Sequence, residues 1–258
     1  MNYLMSLHPL VSLTIFLTGM VLLGIGVYIL GRYLPIGEVN RNSQRMGIWM
    51  FRSTGALLGF MLAVNFADVR SEFASIHTSM ESEIAQLRDL RIDLDRYGGP
   101  DARTAADTLI DYTKNVAESE WEDLRHGRDS VKTWTLLYKL EDKLLTLEPE
   151  TPLQEKLQNR MLVDIDEITD HRQARIYAKN LVMPWFQTVV MVVFILSIFY
   201  LSVYPKRISR MIFVGIYSLT IGLVMYSIIS MTQPFAGLAS ISSQPFHDLH
   251  QEFLTYYD

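Results

Sequence analysis

The chain contains no cysteine. Disulfides, thiolate metal sites and cysteine nucleophiles are therefore excluded. It also lacks a nucleophile elbow, a phosphate-binding loop and a zinc-protease motif, so neither an enzyme nor a cofactor is expected. Charge is missing too, but only in places: residues 1–31, 53–67, 180–205 and 211–247 carry almost none. A charge-free run of about 20 residues matches the ~30 Å hydrocarbon core of a bilayer. An ordinary soluble globular domain is thereby excluded. The N-terminus MNYLMSLHPL has no basic region, and the apolar run behind it is too long for a signal peptide, so it reads as a retained span.

What is present falls into two populations. Of 258 residues, 49% are hydrophobic and 20% charged, with a net charge of -5, and the charges crowd into residues 68–179. Four apolar spans are expected, at about Val11–Leu30, Met46–Ala67, Leu181–Tyr204 and Met211–Met231. Lipid cannot satisfy bare backbone, so each should be helical.

In FMLAVNFADVRSEF (Phe60–Phe73) no Gly or Pro separates an apolar half from one carrying Asp68, Arg70 and Glu72. Phe66, Val69, Phe73, Ile76, Met80, Ile84, Leu87, Leu90 and Leu94 recur at steps of three or four, close to a coiled-coil seam. One helix should therefore run from the second span out to Gly98-Gly99-Pro100. Its length would be about 50 residues, near 75 Å. The return leg opens with Thr151-Pro152-Leu153-Gln154, a capping box with proline at the first helical position. Leu153, Leu157, Met161, Ile165, Ile168 and Ile176 then lead toward the third span. Two shorter helices are expected between the legs, at about Ala102–Arg125 and Val131–Leu147. After the fourth span, Pro234 and Gly237 break the helix and Leu238–Ile241 reads as a short extended piece. Ser242 or Ser243 can cap an amphipathic helix bearing Phe246, Leu249, Phe253 and, at its end, Tyr256.

The expected fold is thus all-α: a membrane protein with four transmembrane helices and a long helical stalk inserted between the second and third. The segments are 1–67 (helices one and two), 68–180 (the soluble stalk), 181–231 (helices three and four) and 232–258 (a Pro/Gly segment and an amphipathic helix). Loop 32–45 carries Arg32, Arg41 and Arg45, and loop 205–210 carries Lys206, Arg207 and Arg210. The positive-inside rule places both in the cytoplasm, with stalk and termini outside. Arg70, Arg172, Arg175 and Lys179 oppose this, because they flank the spans on the stalk side. The expected location is a bacterial inner (plasma) membrane, with the stalk and both termini on the periplasmic side.

Several residues carry candidate chemistry. Only about 24 Å of helix separates Arg52 from Asp68, less than the hydrocarbon core, so Arg52 lies at its edge. It either snorkels to the headgroups or faces the bundle interior and attracts anions. Asn65 needs a partner, either a neighbouring helix or a pore. Arg52, Thr54 and Asn65 are the pore-lining candidates. Phe60, Met61 and Val64, with Phe66, are candidates for a constriction that gates by dewetting, against the plainer reading that they face lipid or other helices. His247 and His250 share a helix face near Asp248 and Glu252, but no third metal ligand is evident, and no metal is expected. Asp164, Asp166, Glu167 and His171 read as the solvated face of a stalk helix. The stalk holds 24 acidic and 16 basic side chains between residues 68 and 180, which disfavours nucleic acid as a partner.

Five stretches also carry a family resemblance. They are GALLGFMLAVNFADVRSEF (Gly55–Phe73), AESEWEDL (Ala117–Leu124), LEPETPLQ (Leu147–Gln154), HRQARI (His171–Ile176) and TQPFAGLASISSQPFHDL (Thr232–Leu249). In order and spacing the chain resembles the bestrophin-like domain family. The resemblance implies four spans and, through a looser tie to bestrophins, an anion channel assembled as a homo-oligomer in the lipid bilayer, with inorganic anions as its ligands. Bestrophins keep their termini and large insertion in the cytoplasm, the reverse of what the loop charges here indicate. The other function class that fits is a non-conducting sensor or scaffold acting through the stalk.

Overall fold

A computed structural model of the protein describes residues 9–31, 33, 41–177, 184–202, 208–235 and 240–256. Among these residues the structure is helical, with no strand. In chain order the helices are α1 (Pro9–Leu30), α2 (Arg41–Tyr97), α3 (Gly99–Asn115), a π-turn (Val116–Glu120), α4 (Trp121–Arg125), α5 (Val131–Leu145), α6 (Pro152–Tyr177), α7 (Pro184–Leu201), α8 (Ile208–Met231) and α9 (Gln244–Tyr256). The chain divides into two units. One comprises Met1–Ser71, Leu181–Gln233 and Gly237–Ala239; the other comprises Glu72–Asn180, Pro234–Ala236 and Ser240–Asp258.

The apolar unit holds α1, the first part of α2, α7 and α8. Among the described residues, three helices are long and apolar enough to cross a membrane: Leu10–Leu30, part of Arg41–Tyr97, and Ile208–Met231. Trp185–Leu201 is apolar but shorter. Small residues set the packing. A Cβ on Gly24 would lie 2.0 Å from Ser218 Oγ, and one on Gly31 would lie 2.7 Å from Ser202 Cβ. Here α1 therefore touches its neighbours with bare backbone, the device by which apolar helices approach closely without a hydrophobic driving force. Met20, Tyr28, Leu58, Leu62, Phe194, Ile198, Val214 and Ile221 fill the centre.

The second unit is built on the outer part of α2, and α2 is one uninterrupted helix of 57 residues. The expected stripe is its buried edge: Val69, Ile76, Met80, Leu87, Leu90 and Leu94 are all buried. Ile84 is only half-buried, because Glu83 occupies the buried slot beside it. The helix stops where expected, with Gly98 and Gly99 at φ of 71° and 87°, a region glycine enters without a Cβ clash. The capping box also forms, Gln154 N–H donating to Thr151 Oγ1 at 3.2 Å and Thr151 N–H to Gln154 Oε1 at 3.1 Å.

Some boundaries differ from the expected ones. The helix expected to hold the second span begins at Arg41 and that expected for the fourth at Ile208, so Arg41, Arg45 and Arg210 are helical residues rather than loop residues. The helix expected over Ala102–Arg125 starts at Gly99 and is interrupted by the π-turn. The extended piece expected at Leu238–Ile241 lies partly outside the described residues. Its end, Ile241, donates its N–H to Pro234 O at 2.7 Å.

Candidate functional site

The apolar part of α2 carries the residues expected to act on ions. Leu58 and Leu62 turn inward and are buried, whereas Arg52, Ser53, Phe60 and Val64 are exposed along the opposite side. Arg52 lies 5.9 Å from the Trp49 ring. Thr54 donates its hydroxyl to Met50 O at 2.7 Å, one turn back along its own helix. Asn65 is half-buried, and Met61 packs against the unit's core. Arg52 and Asn65 are thirteen residues apart, about 140° around the helix at roughly 100° per residue. They do not share a face. Arg52, Ser53, Phe60 and Val64 spread over an exposed arc of about 120° with Arg52 and Val64 at its ends; Thr54 and Asn65 go with Met61, toward the chain's own helices.

The second unit contains a site that sequence reasoning missed. Glu83 on α2, Glu120 at the end of the π-turn, and Arg172 and Arg175 on α6 are all 0% exposed. Arg172 donates from Nε and Nη2 to Glu120 Oε2 at 3.2 and 2.8 Å. Arg175 donates from Nε and Nη2 to the two oxygens of Glu83 at 3.2 and 3.1 Å. The Arg175 Nη1 also lies 2.8 Å from Glu120 Oε1, a close ionic contact whose angle is not that of a hydrogen bond. Two carboxylates and two guanidiniums thus alternate, and their formal charges cancel.

Aromatic rings enclose the guanidiniums. Trp134 of α5 covers Arg172 at 4.1 Å, while Trp121 and Phe246 cover Arg175 at 5.3 and 5.2 Å. Such faces attract desolvated cations. Trp121 donates its Nε1–H to Ile241 O at 3.1 Å and meets Phe235 edge-on, which ties the C-terminal segment into the same cluster. Tyr112 donates to Glu83 Oε1 at 3.0 Å. Burial and the nearby Glu83 carboxylate hold the Tyr112 hydroxyl well above its usual pKa, so it remains a donor. Burial pushes Glu83 up, against the pull of Arg175. For Glu120, burial also acts upward, but Arg175 and Arg172 outweigh it and hold the carboxyl below its ordinary value.

The π-turn explains how Glu120 reaches this place. It takes up an extra residue, so that Val116, Ala117, Glu120 and Trp121 are all buried. Turns of this kind recur at functional sites. Arg172 and Arg175, expected as cations flanking a span, are instead neutralised inside this unit. A signal was available: Glu83 and Arg172 fall in slots where the apolar stripes of α2 and α6 require a buried residue.

The acidic patch expected to be a solvated face is partly buried. The Asp164 carboxyl is raised to about 6, by burial first and then by Asp93, with Asp89 and Glu167 adding to it and Arg160 opposing. Asp93 is fully buried and paired with Arg160. The folded pKa of Asp164 lies above the unfolded value, so its charge opposes folding at neutral pH, and that penalty is relieved as pH falls through about 6 toward 4. Asp164→Asn is therefore expected to raise the unfolding temperature at pH 7.5 and to have little effect at pH 4.5. Equal effects at both pH values, in thermal scans of the full chain, would show that Asp164 is not charged at a cost.

Among the described residues no group of three or more His, Cys, Asp or Glu side chains is placed to hold a metal, His247 and His250 included. Four of the five stretches quoted for the family resemblance contribute to the unit holding the ionic cluster through Trp121, Gln154, Arg172, Arg175, Phe235 and Phe246. Gln154 is the outlying one, donating to Tyr97 O at 3.1 Å. A comparison with curated proteins gives no significant match. The family model for the bestrophin-like domain matches residues 18–246, nearly the whole chain. The chain belongs to the bestrophin-like domain family.

Proposed function

We propose that this protein is a homo-oligomeric membrane channel that conducts anions. It would have four helical spans, α1, the first part of α2, α7 and α8, with residues 68–180 as a helical stalk. The observation that carries the reading is the exposed side of α2. Only 17% of its most apolar window is buried within the chain. The exposed side combines a cation, Arg52, with a hydroxyl, Ser53, and a band of Phe60 and Val64. An arginine inside a membrane span is costly and is generally retained for function. Packed around an axis with other copies, this side would offer positive charge at one level and an apolar constriction roughly two to three turns further along. Thr54 and Asn65, turned toward the chain's own helices, would then support the span rather than line the pore.

If the protein conducts through this side, Arg52→Glu is expected to weaken or reverse anion preference, read as a shifted reversal potential in planar bilayers under a salt gradient. Unchanged selectivity in an assembled variant would remove Arg52 from the pore. A folded parent protein without conductance across several ions and voltages would favour the second reading, a non-conducting sensor or scaffold. That reading is supported by the large apolar side chains that α5 leaves exposed.

We read the protein as non-enzymatic and place the stalk and termini on the outer side of a bacterial inner membrane. The charge-neutral cluster supports this sidedness, since Arg172 and Arg175 no longer count as flanking cations. Asp129→Cys in this cysteine-free chain is then expected to react with a membrane-impermeant thiol reagent in intact cells. Protection until permeabilisation would reverse the orientation.

A further inference from the structure

The apolar unit holds little charge, and that charge is sorted by side. Among its described residues the charged side chains are Arg41, Arg45, Arg52, Arg70, Arg210 and Asp68. Because α2 already begins at Arg41, Arg41 and Arg45 stand in helical register with Arg52 and Arg70 instead of lying in a loop. Taking Arg41 as zero, at about 100° per residue, Arg52 and Arg70 fall near 20° and Arg45 near 40°. Asp68 falls near 180°, on the far side of the helix. All four of these arginines are exposed, and among the described residues none of them has an ion-pair partner in its own chain.

Short side chains fill the arc between them. Ala56, Gly59 and Ala63 lie near 60°, 0° and 40° on the same scale and are exposed. A Cβ on Gly59 would meet nothing within 4 Å. From Arg52 to Arg70 the helix rises about 27 Å, close to the ~30 Å hydrocarbon core. Arg41 and Arg45 extend the basic face about 16 Å beyond Arg52. One side of α2 therefore has a guanidinium near each edge of a bilayer and no acid along it. A guanidinium is weakly hydrated and offers several N–H donors to an anion. Like charges gathered along one groove also raise the local concentration of counter-ions.

We propose that this arc is a path for small inorganic anions with a collecting station at each end, Arg41 and Arg45 at one and Arg70 at the other. The proposal rests on the channel reading above and adds the residues that load the path. Arg52, inside the first station, meets the ion next and hands it to the arc of Ala56, Gly59 and Ala63. Each station acts on anions entering from its own side, so the two act on currents of opposite polarity.

Single-channel recording of the full chain in uncharged phosphatidylcholine bilayers with potassium chloride tests this. Arg41→Gln/Arg45→Gln is expected to lower the current at one polarity at least about threefold at about 0.1 M salt and to approach the parent at about 1 M, as the Debye length falls from roughly 10 to 3 Å. Arg70→Gln should likewise lose current at a single polarity, and the triple variant at both. Asp68→Asn, a charge change on the far side, should leave the currents as they are. Conducting variants that match the parent at low salt, while Arg52→Glu still shifts the reversal potential, would overturn this proposal and leave the channel standing. A triple variant that loses current at only one polarity would overturn the two-station arrangement. A folded parent that never conducts would overturn both readings. Variants that match the parent in phosphatidylcholine and fall below it only once phosphatidylglycerol is added would make lipid phosphate the occupant and overturn the proposal.

Discussion

Arg175→Met is expected to lower the unfolding temperature of the second unit by about 10 °C or more, on the order of 3–5 kcal/mol. The reason is what stays behind. Arg175 touches both Glu83 and Glu120, and without it two fully buried carboxylates share only Arg172. One of them must take a proton or find water. The variant should therefore gain stability on acidification, since a carboxyl forced above its unfolded pKa stabilises the fold only as pH falls. Pairing the change with Glu83→Gln removes the orphaned charge and leaves Arg172 with Glu120. The substituted amide can still accept from Tyr112, so a large part of the loss should return. Heat scans of the full chain in detergent, followed by tryptophan emission, measure both effects, because Trp121 and Trp134 lie against the arginines. If Arg175→Met melts within a degree or two of the parent, the cluster does not hold the unit together.

Ser75→Pro is expected to be comparably damaging, although Ser75 is exposed and its side chain is dispensable. Proline removes an amide donor and its ring clashes with the carbonyl four residues back, a cost of about 3 kcal/mol or more inside a helix. Position 75 lies between buried Val69 and Ile76, well inside α2. A kink here would pull the stripe out of register on its far side. Ser75→Ala should match the parent or slightly exceed it, because alanine is the better helix former. Circular dichroism and expression of the two variants separate backbone from side chain. Normal helicity and assembly of Ser75→Pro would mean that α2 need not be continuous.

The continuity of α2 was legible because its apolar residues keep helical steps from Phe66 to Leu94 with no breaker among them. The Thr151–Gln154 cap was legible because its chemistry is local. The ionic cluster was not, for a physical reason. A stripe argument treats charged residues as surface, whereas Glu83 and Arg172 occupy stripe positions and become tolerable there only through partners elsewhere in the chain. Arg175 and Glu83 are 92 positions apart, and nothing in either neighbourhood announces the other. The π-turn is equally silent, since Val116–Glu120 reads as ordinary helix. In the apolar part of α2, charge and polarity single out Arg52, Thr54 and Asn65 only as candidates. Their division between two sides followed from where Leu58 and Leu62 pack, which a list of polar residues does not contain.

The cluster also constrains how the protein can be made. Its last member, Phe246, comes from α9, the same helix whose Glu252 pairs with Arg88 of α2, 164 positions earlier in the chain. At about 5–20 residues per second, a ribosome needs on the order of 10–30 s to cover that distance. Late in that interval α2 and α6 have both been synthesised, but the aromatic cover over Arg175 is incomplete. The half-built unit must wait while two further apolar helices are made and placed. A chain released before α9 would present buried charge and aromatic surface to water, which gives a quality-control protease a ready means of telling truncated copies from finished ones.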